Sequence, residues 1–140
     1  MNTTYAAVLG AHHVEIPGHL VADAEVPVLA GMQRQGDIIV IPAKPGADTG
    51  QPVPADGVAV VRGESGGNTH LLVGDLDSPG TVTWRPAAGG DLLELGTVTV
   101  PDGAVAHLVH PEHGAQGIAP GCYRIRRQRE QADEIRMVAD

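Results

Sequence analysis

Three histidines and a glutamate fall within seven residues, His107, His110, Glu112 and His113 in the stretch HLVHPEHG, and a fourth histidine, His70, ends the glycine-rich run GESGGNTH. Neutral imidazole and carboxylate are ligands that Zn and its neighbours in the first transition row accept. His70, His110, Glu112 and His113 therefore form a candidate metal set, with a transition metal such as Zn the one cofactor the chain suggests. Spacing works against this set in a regular strand, where His110 and His113 lie an odd number apart and point to opposite faces. Pro111 ends such a strand, and a turn at Pro111-Glu112 would bring both rings to one side. The simpler alternative is that these residues close the end of a strand and hydrogen-bond its turn. A cupin-like site would also need a His-x-His pair, and Asn68 stands where its first histidine would be.

A second concentration of chemistry is Arg124, Arg126, Arg127 and Arg129 in CYRIRRQRE. On a strand, Tyr123 and Ile125 face the core while Arg124 and Arg126 face solvent or a partner, which makes these two the candidate partner-binding residues. A guanidinium fork takes carboxylates bidentately, and the chain holds 17 acidic residues, so pairing within or between subunits is expected. Nucleic acid is disfavoured by the formal charge of −8 and by an aromatic content of 2%, which leaves few rings for base stacking. No catalytic set stands out. Ser65 follows Glu64 directly and lacks the glycine-flanked nucleophile turn. The run Gly63–Gly67 has neither the lysine nor the following helix that cradle phosphate. Cys122 is the sole cysteine, so no intrachain disulfide forms, and it is expected as a small half-buried strand residue. His12, His13 and His19 are expected at the surface or at an interface.

The elements available to position these groups are short and β-rich. Asp37–Pro42, Gly57–Gly63, Thr69–Gly74, Thr81–Trp84, Asp91–Val100, Ala104–His110 and Cys122–Arg129 are apolar or β-branched runs separated by turn dipeptides such as Asp56-Gly57, Pro79-Gly80, Asp102-Gly103 and Pro120-Gly121. That pattern predicts an all-β fold, an antiparallel small barrel or jelly-roll-like sandwich of at least seven strands. Gln131–Asp140 reads as a short C-terminal helix, with Ile135, Val138 and Ala139 on one face. The core must be aliphatic, because Phe is absent and Trp84 is the one tryptophan. Charge is uneven: residues 1–120 hold 4 basic and 13 acidic residues, residues 121–140 hold 5 and 4. No apolar run nears the roughly 20 residues needed to cross a bilayer. The N-terminus lacks a signal-peptide pattern, so a cytoplasmic location, or one in an intracellularly assembled particle, is expected.

Several of these motifs recur together. Gln35-Gly36-Asp37 before Ile38–Pro42, Gly63-Glu64, Gly67-Asn68-Thr69-His70, His110-Pro111-Glu112-His113, Ala119-Pro120-Gly121-Cys122-Tyr123, Gln128-Arg129-Glu130 and the final Ile135-Arg136 and Val138-Ala139-Asp140 carry a resemblance. Over residues 32–140 the chain resembles a family of small uncharacterised bacterial proteins. The resemblance brings no activity with it; it implies that His70, His110, Glu112 and His113 act together. It also implies that residues 1–31 are an extension joined to a complete domain, residues 32–140. Asn68 and Gln131 depart from the pattern, the first where relatives carry another histidine. The expectation is a non-enzymatic β-domain, a subunit of a homo-oligomeric or phage-like assembly contacted through residues 1–31 as an arm. The alternative is a metal-binding enzyme or sensor built on the histidine cluster.

Overall fold

The structure, a computed structural model, describes residues 3–61, 69–89 and 92–128. They form two sheets. The first runs β1 (Val28–Leu29), β10 (Gly114–Ile118), β9 (Ala106–His110), β6 (His70–Val73), β5 (Val58–Val61), and the second runs β2 (Gln33–Gln35), β3 (Ile38–Pro42), β11 (Gly121–Arg127), β8 (Glu94–Val100), β7 (Thr83–Pro86), β4 (Gln51–Pro52). All pairings are antiparallel except β1 with β10. The sheets do not close on each other, so the barrel alternative gives way to a sandwich-like pair. Each of the seven runs read as strands overlaps a strand here. Parts of three of them, beyond Val61, at Asp91 and at Arg129, and the helix expected over 131–140 lie outside the described residues.

Alternation along the strands builds the core. Ile38, Val40, Val98, Val100, Tyr123 and Ile125 from the second sheet meet Val60, Leu72, Ala106, Leu108 and Ile118 from the first, all buried. Each such aliphatic side chain contributes about 1.5–3 kcal/mol by leaving water. Tyr123 and Ile125 face inward as expected, and the Tyr123 hydroxyl donates to the Ala119 carbonyl at 2.7 Å, which satisfies its one polar atom. Cys122 is buried. Three glutamine amides tie the sheets together: Gln33 Nε2 donates to the Gly117 carbonyl, Gln35 Nε2 to the Leu108 carbonyl, and Gln116 Nε2 to the Arg34 carbonyl.

Residues 3–29 lie against the chain's own first sheet. Helix α1 (Tyr5–Ala11) is capped by Thr4, whose hydroxyl accepts from the Ala7 N–H. A helix of two turns is unstable alone, and this one is held by Val8 and Leu9, which pack with Val26 on Val73, Val109 and Ala115 of the outer sheet face. β1 then adds to the sheet edge beside Gly117. A Cβ there would come within 2.7 Å of Val28 Cγ2 and 2.8 Å of the Pro27 carbonyl, so glycine is required for the approach. The segment expected to act as an arm toward a neighbouring subunit thus has one side occupied within the same chain.

His107 does not join the histidine cluster. It stands an odd number of residues from His110 on β9 and therefore on the opposite, outer face, with Val109. Only 2% of it is exposed, and neither ring nitrogen has a hydrogen-bond partner. Burial pushes its pKa down to about 4, with the Asp75 carboxylate opposing and His12 adding to the shift. A histidine held neutral stabilises the fold above the ordinary value of 6.5, and that contribution is lost as pH falls from 6.5 toward 4, because the unfolded chain takes up the proton the folded one refuses. Between pH 7 and pH 4.5 this group alone removes about 2 kcal/mol of stability. Urea unfolding at both pH values should show a correspondingly smaller acid loss in His107→Leu than in the wild type; equal losses would refute the assignment.

Candidate functional site

The end of the sandwich where β2 turns into β3 meets the start of β6 and the β9–β10 hairpin. Register brings the histidines together. Leu71 pairs with Val109, so one step on His70 stands opposite His110 at the strand ends. The hairpin pairs His110 with Gly114, and its three-residue loop, Pro111 to His113, returns His113 to the same end. Ring centres lie 4.3 Å apart for His70 and His110, 4.7 Å for His110 and His113, and 6.4 Å for His70 and His113. The turn at Pro111 thus does what the sequence required of it. His70 and His110 are buried, while Glu112 and His113 are exposed.

Hydrogen bonds fix which nitrogen is which. Gln35 Nε2 donates to the Leu108 carbonyl at 2.8 Å, so its Oε1 faces His70 Nδ1 at 3.0 Å and that nitrogen carries the proton. His70 Nε2 then holds a lone pair, 3.7 Å from Asp37 Oδ1. His110 is oriented the other way. Its Nδ1 accepts from the backbone N–H groups of Glu112 (3.0 Å) and His113 (3.3 Å), so the proton of its neutral ring sits on Nε2. That is the turn-closing role of the simpler expectation, and it removes His110 as a ready ligand. Glu112 enters this arrangement through its backbone N–H.

Electrostatics keep His70 neutral. Burial is the largest cause, His110 and His113 add to it, and Asp37 opposes, leaving a pKa of about 4. Arg127 holds the second oxygen of Asp37, Nη2 to Oδ2 at 3.2 Å, and thereby fixes the carboxylate beside His70. Gly36 supplies the room. Its φ of +60° favours glycine, and a Cβ there would lie 3.1 Å from His113 Nε2 and 3.5 Å from His70 Cε1. Among the described residues, no three His, Cys, Asp or Glu donors converge on one point, because the rings lean on one another instead.

Gln35, Gly36 and Asp37 were not read as site residues from sequence, although they stand as a unit at the head of the motif pattern. Arg124 and Arg126 lie elsewhere, on the outer face of the second sheet, and both bind Glu94. Arg124 does so bidentately, Nε to Oε1 at 3.1 Å and Nη2 to Oε2 at 2.8 Å, and Arg126 reaches Oε2 at 2.9 Å. The expected pairing of arginine with carboxylate is therefore met within the chain. No helix among the described residues is long and apolar enough to cross a membrane.

No curated protein and no solved structure matches the chain. One family does, over residues 34–128, the span that contains the turn of Gln35 to Asp37 and all three clustered histidines. The match begins within β2 and leaves out the segment from α1 to β1. The chain belongs to the family described as Domain of unknown function (DUF8820).

Proposed function

We propose that this protein is a metal-binding β-sandwich, in which His70, Asp37 and His113 take a divalent transition-metal cation and His110 positions them. The observation that carries the reading is the orientation of His70. A ligating imidazole characteristically donates a hydrogen bond from its second nitrogen to a carbonyl or carboxylate, and here Gln35 Oε1 accepts that bond while Nε2 faces a carboxylate 3.7 Å away. A ring held neutral competes for metal without first losing a proton. His113, exposed on its turn, supplies the third donor by rotating toward the pair. Its site is borderline N and O in character, which suits Zn, Ni, Cu or Fe and leaves room for solvent ligands. Protein purified without a tag, incubated with Zn and desalted, should retain about one equivalent by elemental analysis. His70→Ala and His113→Ala should each retain less than about a tenth, and His110→Ala should bind with reduced affinity. Wild-type protein retaining less than about a tenth of an equivalent of every transition metal offered would overturn the reading.

A second reading, a subunit of a homo-oligomeric or phage-like assembly, is favoured by a different observation. Of the six large hydrophobic side chains exposed among the described residues, Ile16, Val21, Leu29 and Met32 lie in or next to the N-terminal segment. Such a concentration fits self-association through that segment's outer side. Light scattering should then give a wild-type mass well above 14.4 kDa that falls to the monomer value in the double variant Val21→Asp, Met32→Asp. A monomeric wild type would remove this reading and leave the metal site untouched.

A further inference from the structure

Two buried histidines meet where the N-terminal segment lies on the first sheet, and neither belongs to the cluster beside Gln35. His107 points outward from β9, with Val73 and Gly117 as its cross-strand neighbours. The segment covers this face: a Cβ at Gly117 would strike Val28 and the Pro27 carbonyl, and one at Gly114 would strike Leu20. His12, the residue that ends α1, comes to the same place. It lines a cavity of about 150 Å³ together with Gly74 and Asp75, which directly follow Val73. Three ring nitrogens, Nε2 of His12 and both nitrogens of His107, are buried there without a hydrogen-bond partner among the described residues.

The carboxylates nearby do not answer this need. Asp75 is occupied by backbone: its Oδ1 accepts from the Asp77 and Ser78 N–H groups at 2.8 and 3.0 Å, and its Oδ2 from the Val105 N–H at 2.7 Å. Burial lowers the pKa of His12, with Asp56 opposing and His13 adding to the shift. It lowers that of His107 to about 4, with Asp75 opposing and His12 adding. A proton on either ring therefore has no bonded acceptor and meets another imidazole across the seam.

The segment is built to move as a unit. Its backbone bonds run within itself, Tyr5 N–H to the Ala24 carbonyl, Ala6 to Ala22 and Val14 to Leu9, and it meets the domain through β1 and the apolar contact of Val8, Leu9 and Val26. His13 closes α1 with a φ of +58°, a left-handed conformation unfavourable to a side chain, so the helix end is already strained. After β1 the chain passes through Ala30, Gly31 and Met32, all exposed, and a Cβ at Gly31 would meet nothing within 4 Å.

We infer that residues 3–29 form an acid-released latch: the segment closes on the first sheet while His12 and His107 are neutral, and proton uptake by the pair frees it and bares the edge of β10. The device is independent of the metal reading. For His107 alone, a value of about 4 when covered against 6.5 when released shifts the closed-to-open ratio about thirtyfold between pH 7.5 and pH 5. His12 enlarges the shift in the same direction. Hydrogen exchange of the full chain, expressed as protection factors at the two pH values, reads the release amide by amide. Protection at Ala6, Val14 and Gly117 should fall about thirtyfold or more, while amides of β8 and β11 in the second sheet stay better protected at both pH values. His107→Leu should remove most of that fall, and His12→Gln part of it. The proposal is overturned if the fall is less than about threefold, if β8 and β11 lose protection to the same level as the segment, or if either variant keeps the full fall.

Discussion

A single side-chain amide holds the histidine end of this molecule in place. Gln35 is 2% exposed, and a buried amide must find partners for both its ends or cost about 1–3 kcal/mol for each group left unmet. Its nitrogen donates to the Leu108 carbonyl of one sheet while its own strand belongs to the other, and its oxygen accepts a hydrogen bond from His70 Nδ1. The same contact therefore joins the sheets, sets the tautomer of the buried histidine and turns the lone pair toward Asp37. Gln33 and Gln116 repeat the sheet-to-sheet link without touching a titratable group. The buried polar atoms at this end are thus mutually dependent, and removing one exposes the needs of the next.

How much of this was legible in the sequence follows from which force shapes each element. β3, β8 and β11 are apolar or β-branched on their inward positions, and the period of two shows them directly. β2 and β10 escape that reading. β2 is Gln33-Arg34-Gln35, whose inward residues are amides, and β10 is Gly114–Ile118, where Gly117 has no side chain because Pro27 and Val28 occupy the space. Both depend on tertiary partners far along the chain. α1 was invisible for a related reason: seven residues without acid in the first turn or base in the last carry little local signal, and Val8 and Leu9 are helical because a sheet lies beneath them.

The site divides in the same way. His70, His110 and His113 were legible as a group because their spacing around Pro111 left only a turn to unite them. Their separate roles were not, since the direction of each ring depends on Gln35 for one and on two backbone N–H groups for another. His107 could be separated by parity alone, and the structure places it on the far side of β9, in a different electrostatic setting. The arginine strand was readable face by face up to Ile125, where a bulge on the neighbouring strand changes which carboxylate it meets.

The parallel pairing of β1 with β10 bears on colloidal behaviour. An edge strand with open N–H and C=O groups is a template for other chains. Here the Gly117 N–H is given to the Pro27 carbonyl and the Ala119 N–H to the Leu29 carbonyl. The strand that covers them is two residues long and follows a proline, which has no N–H to offer onward. The N-terminal segment thus ends the first sheet where it might otherwise grow. A shortened chain that began at the family's own boundary would carry that edge bare into solution, and its tendency to aggregate would say little about the oligomeric habits of the intact protein.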